Sequence, residues 1–358
     1  MRVDAGPLAG RRPARGPYAT SPALVGILAV VLVLSMIAAV GLGPVSIPFG
    51  DVAQVIGHRY LPGLVEPAPA GPQAVIVLDI RLPRVLLGTA VGAGLATVGA
   101  VLQAVLRNPL ADPYLIGASS GASFGAVLVI IVGITPFGLF SLPVAAFLGA
   151  MAAFALVMLL AGGRGTVAPT RLILAGVAVA AFTEAITHYL VLTSPDKDVR
   201  SAMFWTLGGL GGTQWRDIGV PIAVVVAGTL WFWAQSGRLN ALVLGEEGAT
   251  SLGLEVGRLR RRMIIGCAVV IGAVVAVSGG IGFVALMVPH AVRLAVGGDN
   301  RRVLPLSALT GAILLLWVDV SARVLNRPDE IPIGVITAVL GAPFFLALLR
   351  RADRKEWR

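Results

Sequence analysis

Ten apolar runs divide the sequence, most of them near the ~20 residues that a helix needs to cross ~30 Å of hydrocarbon. They fall at 23–43, 85–106, 114–134, 142–161, 171–192, 218–235, 263–281, 283–296, 303–323 and 332–350. Such a chain has few folds open to it. In lipid, every backbone N–H and C=O must be satisfied within the protein, so each run reads as a helix. Only 13% of the residues are charged and the mean hydropathy is +0.89, against roughly 25% charged residues in soluble domains. The expected fold class is an all-α polytopic membrane protein with about ten transmembrane helices. No stretch between runs is long enough for a separate soluble core. One membrane domain over 23–350 is therefore expected, after a disordered basic N-terminal tail over 1–22 and before a cytoplasmic basic C-terminal tail over 351–358. The run from Ala23 to Gly43 is too long for a signal-peptide core and reads as an uncleaved first span. Spans seven and eight have the least defined ends, because Gly279-Gly280-Ile281-Gly282 breaks the pattern and Pro289 falls inside the eighth.

The formal net charge is +10, and its distribution gives the topology. With the N-terminus inside, cytoplasmic segments hold 20 of the 28 basic residues. That bias follows the positive-inside rule, expects both termini in the cytoplasm, and accounts for the charge without a nucleic-acid partner. It also puts Arg81, Arg84 and Arg323 on the external side. The single Cys267 lies in an apolar run and excludes an intramolecular disulfide or a cysteine metal cluster.

Three long connections stand outside the runs. Residues 44–80 and 193–217 are external and rich in glycine or proline. Residues 236–262 are internal and carry Leu244-Gly245-Glu246-Glu247-Gly248-Ala249-Thr250-Ser251-Leu252-Gly253. Mixed polar and apolar residues between glycines predict one or two short surface helices, suited to docking a soluble partner. Arg258-Leu259-Arg260-Arg261 precedes a span as Arg81-Leu82-Pro83-Arg84 does, on the opposite side, a faint sign of an inverted repeat.

Small residues recur every four positions at Gly88, Gly92, Ala96 and Ala100, and at Gly176 and Ala180. Such stripes let helix backbones approach closely in lipid. The second stripe continues into Glu184 and His188. An ionisable residue within a span needs a partner or a wet cavity. Two readings stand: a Glu184–His188 hydrogen bond at a helix contact, or a face lining an aqueous pathway. Asp319 and Arg323, four apart, predict an intrahelical ion pair that still leaves guanidinium donors free.

No phosphate-binding loop, G-x-x-x-x-G-K-[ST], is present, and the only lysines are Lys197 and Lys355. The zinc motif H-E-x-x-H is absent too, so neither a metal nor another cofactor is expected. Gly117-Ala118-Ser119-Ser120-Gly121 resembles a nucleophile elbow only superficially and lacks its spacing.

Together the motifs resemble the FecCD-type permeases, the membrane subunits of ABC importers for ferric siderophores, haem and vitamin B12. The resemblance runs over about 20–350. It is carried by Arg81-Leu82-Pro83-Arg84, Gln103, Asn108-Pro109-Leu110-Ala111-Asp112-Pro113 and Gly117-Ala118-Ser119-Ser120-Gly121-Ala122. Further along come Gly280-Ile281-Gly282-Phe283, Val288-Pro289-His290, Asp319 with Ala322-Arg323, Glu330-Ile331-Pro332-Ile333-Gly334 and Gly341-Ala342-Pro343-Phe344-Phe345.

The resemblance implies a BtuC-like type II ABC importer permease fold in a bacterial plasma membrane. It implies a second permease copy or paralogue, a cytoplasmic ATPase dimer that supplies the energy, and an external substrate-binding protein. Leu244, Gly245, Glu246, Glu247, Ala249, Leu252 and Gly253 would then belong to the ATPase-coupling helices. Arg81, Arg84 and Arg323 would dock the binding protein. Asn108, Leu110, Pro169 and Thr170 would form a cytoplasmic gate. Glu184 departs from the apolar or small residue expected there and, with His188, is a candidate for the pathway wall. Ferric siderophore is the first expectation for cargo, with haem and cobalamin open. A transporter driven by an ion gradient is the alternative of another class, with Glu184, His188 and Asp319 as a proton route. An intramembrane hydrolase is more distant.

Overall fold

The structure, a computed structural model, describes residues 21–61, 63, 71–162 and 169–356. The tail expected over 1–22 lies almost entirely outside these residues. Ten apolar helices follow the ten runs: α1 (Ser21–Gly41), α2 (Leu82–Leu106), α3 (Ala118–Val132), α4 (Ser141–Ala161), α5 (Pro169–Leu192), α6 (Trp215–Ala234), α7 (Val256–Ser278), α8 (Val284–Val296), α9 (Asn300–Val324) and α10 (Ile333–Glu356). Seven are long and apolar enough to cross a membrane alone, while α3, α8 and the apolar part of α10 are shorter. At 1.5 Å per residue α3 and α8 reach only about 20–23 Å. The C-terminal tail expected from 351 is, up to Glu356, the end of α10.

Helix α2 is the hub. Its most apolar stretch is 83% buried, against 17% for α1 at the periphery. It packs on α6, α7, α8 and α9, while α3, α4 and α5 form a second group and α1 lies along α9. The glycine stripe explains the close fit on α9. A Cβ at Gly92 would stand 2.3 Å from the Gly311 carbonyl oxygen, and one at Gly311 would stand 2.4 Å from that of Gly92. Two backbones meet there with no room for a side chain. Gly99 is tighter still against α8, with 1.7 Å to the Ala285 carbonyl oxygen.

The connections are more ordered than expected. Residues 44–80 include a helix at Phe49–Tyr60 and a π turn at Ile76–Arg81 that runs straight into α2. Helical backbone precedes Pro83, so its missing N–H removes one bond to the turn before it; the Leu78 carbonyl in that turn accepts instead from Trp215 Nε1 at 2.9 Å. A helix at Asp196–Thr206 lies within 193–217, and two short helices, Ser236–Leu242 and Gly245–Ser251, lie within 236–262. The seventh span begins at Val256, earlier than its apolar run, so its arginine cluster is helical.

Irregular backbone from three connections meets at one end of the bundle. The Gly209 N–H donates to Ser278 O at 2.9 Å, Ile333 N–H to Gly208 O at 2.9 Å, and Gly334 N–H to Leu207 O at 3.1 Å. Non-helical backbone at membrane depth is tolerated where protein satisfies it in this way. Glycine is needed at the crossing: Gly279 adopts φ +63°, and a Cβ there would lie 2.1 Å from Trp205 O.

Candidate functional site: a walled cavity between two polar ends

At the end bearing the π turn, four charged side chains from distant segments form one cluster. Arg84 donates through Nε to Asp319 Oδ1 at 2.9 Å, and through Nη1 and Nη2 to Glu330 at 2.8 and 2.9 Å. Arg323 Nε donates to the other Asp319 oxygen at 3.0 Å. Asp319 thus holds an arginine on each oxygen and is 1% exposed. The remaining donors close the end of α1. Arg323 reaches Leu42 O at 2.7 Å and Ala39 O at 3.1 Å. Arg81 reaches Val40 O and Gly41 O, both at 2.8 Å, and Val45 O. The last carbonyls of a helix have no partner within it, and two arginines from elsewhere supply the donors.

This corrects one expectation. Arg81, Arg84 and Arg323 lie together at one end, yet they are only 4%, 6% and 3% exposed. The intrahelical Asp319–Arg323 pair forms as expected, but its spare donors are used internally. The outward member of the cluster is Glu330, whose side chain is 40% exposed. The same bonds remove Asp319 from any proton route with Glu184 and His188, which lie elsewhere.

Those two residues line a cavity of about 1250 Å³. Its wall runs from Leu110 and Asp112, in the loop after α2, past Glu184 and His188 on α5, to Met203 and Leu207 in the 193–217 connection. Ser119, Ser120, Ser123, Thr187 and Thr206 contribute hydroxyls, and Phe283 and Phe345 contribute aromatic wall. Ala180, Glu184 and His188 all face the cavity, as spacing of four on one helix requires. Glu184 and His188 are both exposed on this cavity wall.

The loop 107–117 closes one end of this wall. Arg107 ends α2 in the left-handed region at φ 50°. Asn108 holds the turn, its Oδ1 accepting from the Leu110 N–H at 2.9 Å, and Leu110 itself lines the cavity. Asp112 accepts from the Tyr114 N–H at 2.8 Å. Burial pushes the Asp112 carboxyl up to about 6, with the Tyr114 N–H opposing that rise. Of the expected gate residues, Asn108 and Thr170 do not line the cavity, Thr170 is exposed in the first turn of α5, and the Pro169 side chain lies outside the described residues.

The far end carries 236–262. Leu244 and Leu252 are 66% and 63% exposed while Ala249 is buried. Gly245 and Gly253 take φ +93° and +78°, which turn the chain at either end of the short helix. Glu247 is exposed; Glu246 is bound to Arg260 of α7 at 2.8 Å. Gly245 also lies beside Arg107, since a Cβ on it would be 3.7 Å from Nη1. The neighbouring helix is tied in through Asn240, whose Nδ2 donates to Asp299 at 2.6 Å and whose Oδ1 accepts from the Asn300 N–H at 2.8 Å. Asn300 Oδ1 accepts from Arg293, which also donates to Ala100 O on α2 at 2.9 Å. A polar chain therefore links this surface to the hub helix.

Sequence reasoning gave no contact role to Glu330, Arg260, Asn240 or Arg293, although Glu330 and Arg260 sat inside quoted motifs. Their partners lie far off in the chain, and isolated polar residues near span ends carry no local signal.

The comparisons with known proteins agree with this geometry. The family model described as the FecCD transport family matches residues 30–351. The cobalamin import system permease protein BtuC of Halobacterium salinarum is 46% identical over 77% of this chain and 73% of its own length. The hemin transport system permease protein HmuU of Yersinia pestis is 42% identical over 77% of this chain and 83% of its own. A solved ABC transporter of metal-chelate type, in an inward-facing conformation, superposes with a TM-score of 0.80 at 32% identity, covering 92% of this chain and 99% of that one. Matched along nearly its whole length in sequence and in fold, the chain belongs to the FecCD transport family.

Proposed function

We propose that this permease carries a bulky metal chelate through the cavity walled by α3, α5, α8 and α10, with another chain hydrolysing ATP. The cavity itself carries the reading. It extends along the wall from the 107–117 loop to the 193–217 connection, and at about 1250 Å³ exceeds the ~300–1,000 Å³ of ordinary small-molecule sites. A corrinoid or haem is the leading cargo, from the names of the two relatives; the ferric siderophore first expected keeps the same chemistry of a large chelated metal. Exposed apolar side chains on α5 and α10, among them Phe182, Leu192, Val339 and Leu340, suit a second permease copy that completes the wall.

The end with 236–262 faces the cytoplasm in this reading, as do both termini. Leu244 and Leu252 offer the ATPase an apolar surface, and the Glu246–Arg260 pair passes movement of that surface to α7. Leu110 stands at the gate, held by the Asn108 turn, with Pro169 and Thr170 starting the helix across from it. The opposite end receives the binding protein. Arg81, Arg84 and Arg323 supply its positive potential from beneath the surface, and Glu330 is the group an incoming carboxylate has to displace to reach Arg84.

Reconstitution of the permease with its ATPase and binding protein in proteoliposomes tests this. Uptake of cyanocobalamin, haem or a ferric hydroxamate that needs ATP and stops with vanadate is the expected result. Uptake driven by a proton or sodium gradient without ATP would overturn it.

A further inference from the structure

The cavity wall has a charge sign opposite to that of the chain. The protein carries a formal +10, yet the charged side chains lining the cavity are Asp112 and Glu184, and no lysine or arginine lines it among the described residues. The arginines at the two ends are committed elsewhere: Arg84 and Arg323 to Asp319, and Arg293 to Asn300 and Ala100 O. Glu184 is the exposed carboxylate on the α5 face, one turn from Ala180 and one from His188, all on the wall. No hydrogen bond or ion pair neutralises it among the described residues. An unpaired carboxylate in a partly wet cleft acts over several ångströms on whatever passes.

We infer that the cavity selects by charge: Glu184 is a specificity-determining residue that favours neutral and cationic metal chelates over polyanionic ones. This deepens the import reading and rests on it. A second copy would set a second Glu184 in the same pathway and double the effect. The hydroxyls of Ser119, Ser120, Ser123 and Thr187 complete a wall that can hydrogen-bond a neutral polar cargo but, among the described residues, offers an anion no lysine or arginine.

The charge sign is measurable without knowing the cargo. Cys267, the only cysteine, is fully buried and silent to aqueous reagents. Ser123→Cys places a thiol in the wall of the assembled transporter. Its reaction rates with a trimethylammonium and a sulfonate methanethiosulfonate are compared with those of a small free thiol. The cation-to-anion ratio should exceed the free-thiol ratio by roughly five-fold, the effect of about one carboxylate at this range in a partly wet cleft. Adding Glu184→Gln should remove most of that excess. In parallel, Glu184→Gln should raise uptake of haem, with its two propionates, relative to neutral cyanocobalamin. A free-thiol ratio in the cavity, or one that Glu184→Gln leaves unchanged, overturns the charge assignment even if import is intact. Absence of all chelate uptake beside a shifted thiol ratio counts against the import reading instead.

Discussion

Arg84 and Asp319, 235 positions apart, meet at 2.8 Å with both side chains almost wholly buried. The contact joins the first turn of α2 to the last turns of α9. Asp319 holds a second guanidinium on its other oxygen, and with Glu330 on Arg84 two carboxylates balance the two cations. Removing one member of such a buried set costs about 3–5 kcal/mol, because the survivors remain desolvated and unpaired. Asp319→Asn should therefore lower the yield of folded protein and its melting temperature in detergent far more than an exposed substitution such as Asp196→Asn. Equal melting of the two would show that the cluster is not holding α2 to α9.

Glu330→Gln probes the end proposed to dock the binding protein where charge reversal of Arg84 cannot. A carboxylate at 84 would face Asp319 and break the fold before docking was measured. Glu330 is partly exposed, and its loss leaves Arg84 paired with Asp319. If an acidic group of the binding protein competes with Glu330, the variant should hold the binding protein several-fold more tightly at low salt, with the gain fading as salt rises. Surface-bound permease titrated with the binding protein reads this directly, and weaker binding would argue against displacement.

Glycine substitutions separate crowded from open helix faces. Gly99→Ala places a methyl 1.7 Å from the Ala285 carbonyl oxygen, a backbone atom that can yield only if α8 shifts. A cost of at least the ~1–3 kcal/mol of overpacking is expected. Gly219→Ala on α6 meets nothing within 4 Å and should be neutral or stabilise by about 0.5–1 kcal/mol through helix propensity. Thermal melting of the two variants against the parent chain decides the matter.

Asp112 should make stability fall as pH rises. Its folded carboxyl is pushed up to about 6, above its ordinary value of 3.8. Between those values the folded state binds the proton more tightly than the unfolded state. Its contribution is therefore fully present below about pH 4, is lost as pH climbs through about 6, and then levels off. Asp112→Asn keeps an acceptor for the Tyr114 N–H but cannot ionise. The melting temperature of the parent chain relative to this variant should decline over that window, and a flat difference would remove burial as the cause.

The site was unevenly legible. Asp319 with Arg323 could be read from spacing, because both lie on one helix. So could the shared face of Ala180, Glu184 and His188, although whether it met a helix or a cavity could not. Glu330 gave no signal, because its partner is 246 positions away. The three arginines could be placed together at one end but were read as free, since charge counting locates a residue along the membrane normal without saying what it touches.

The amino-acid sequence by itself determined the ten helices and where polar residues sit along them. Hydrocarbon leaves the backbone no partner but itself, so apolar length alone dictates a helix and charge dictates where it ends. Only the tertiary structure decided which polar groups are spent on each other and which face the cavity. That choice depends on how closely backbones approach at Gly92, Gly99 and Gly311, and on which distant carbonyls and carboxylates then fall within reach of an arginine. Hydropathy and local spacing describe one helix at a time. The same arginine motif could serve a partner or a neighbouring helix, and here the uncapped end of α1 and the buried Asp319 claimed it.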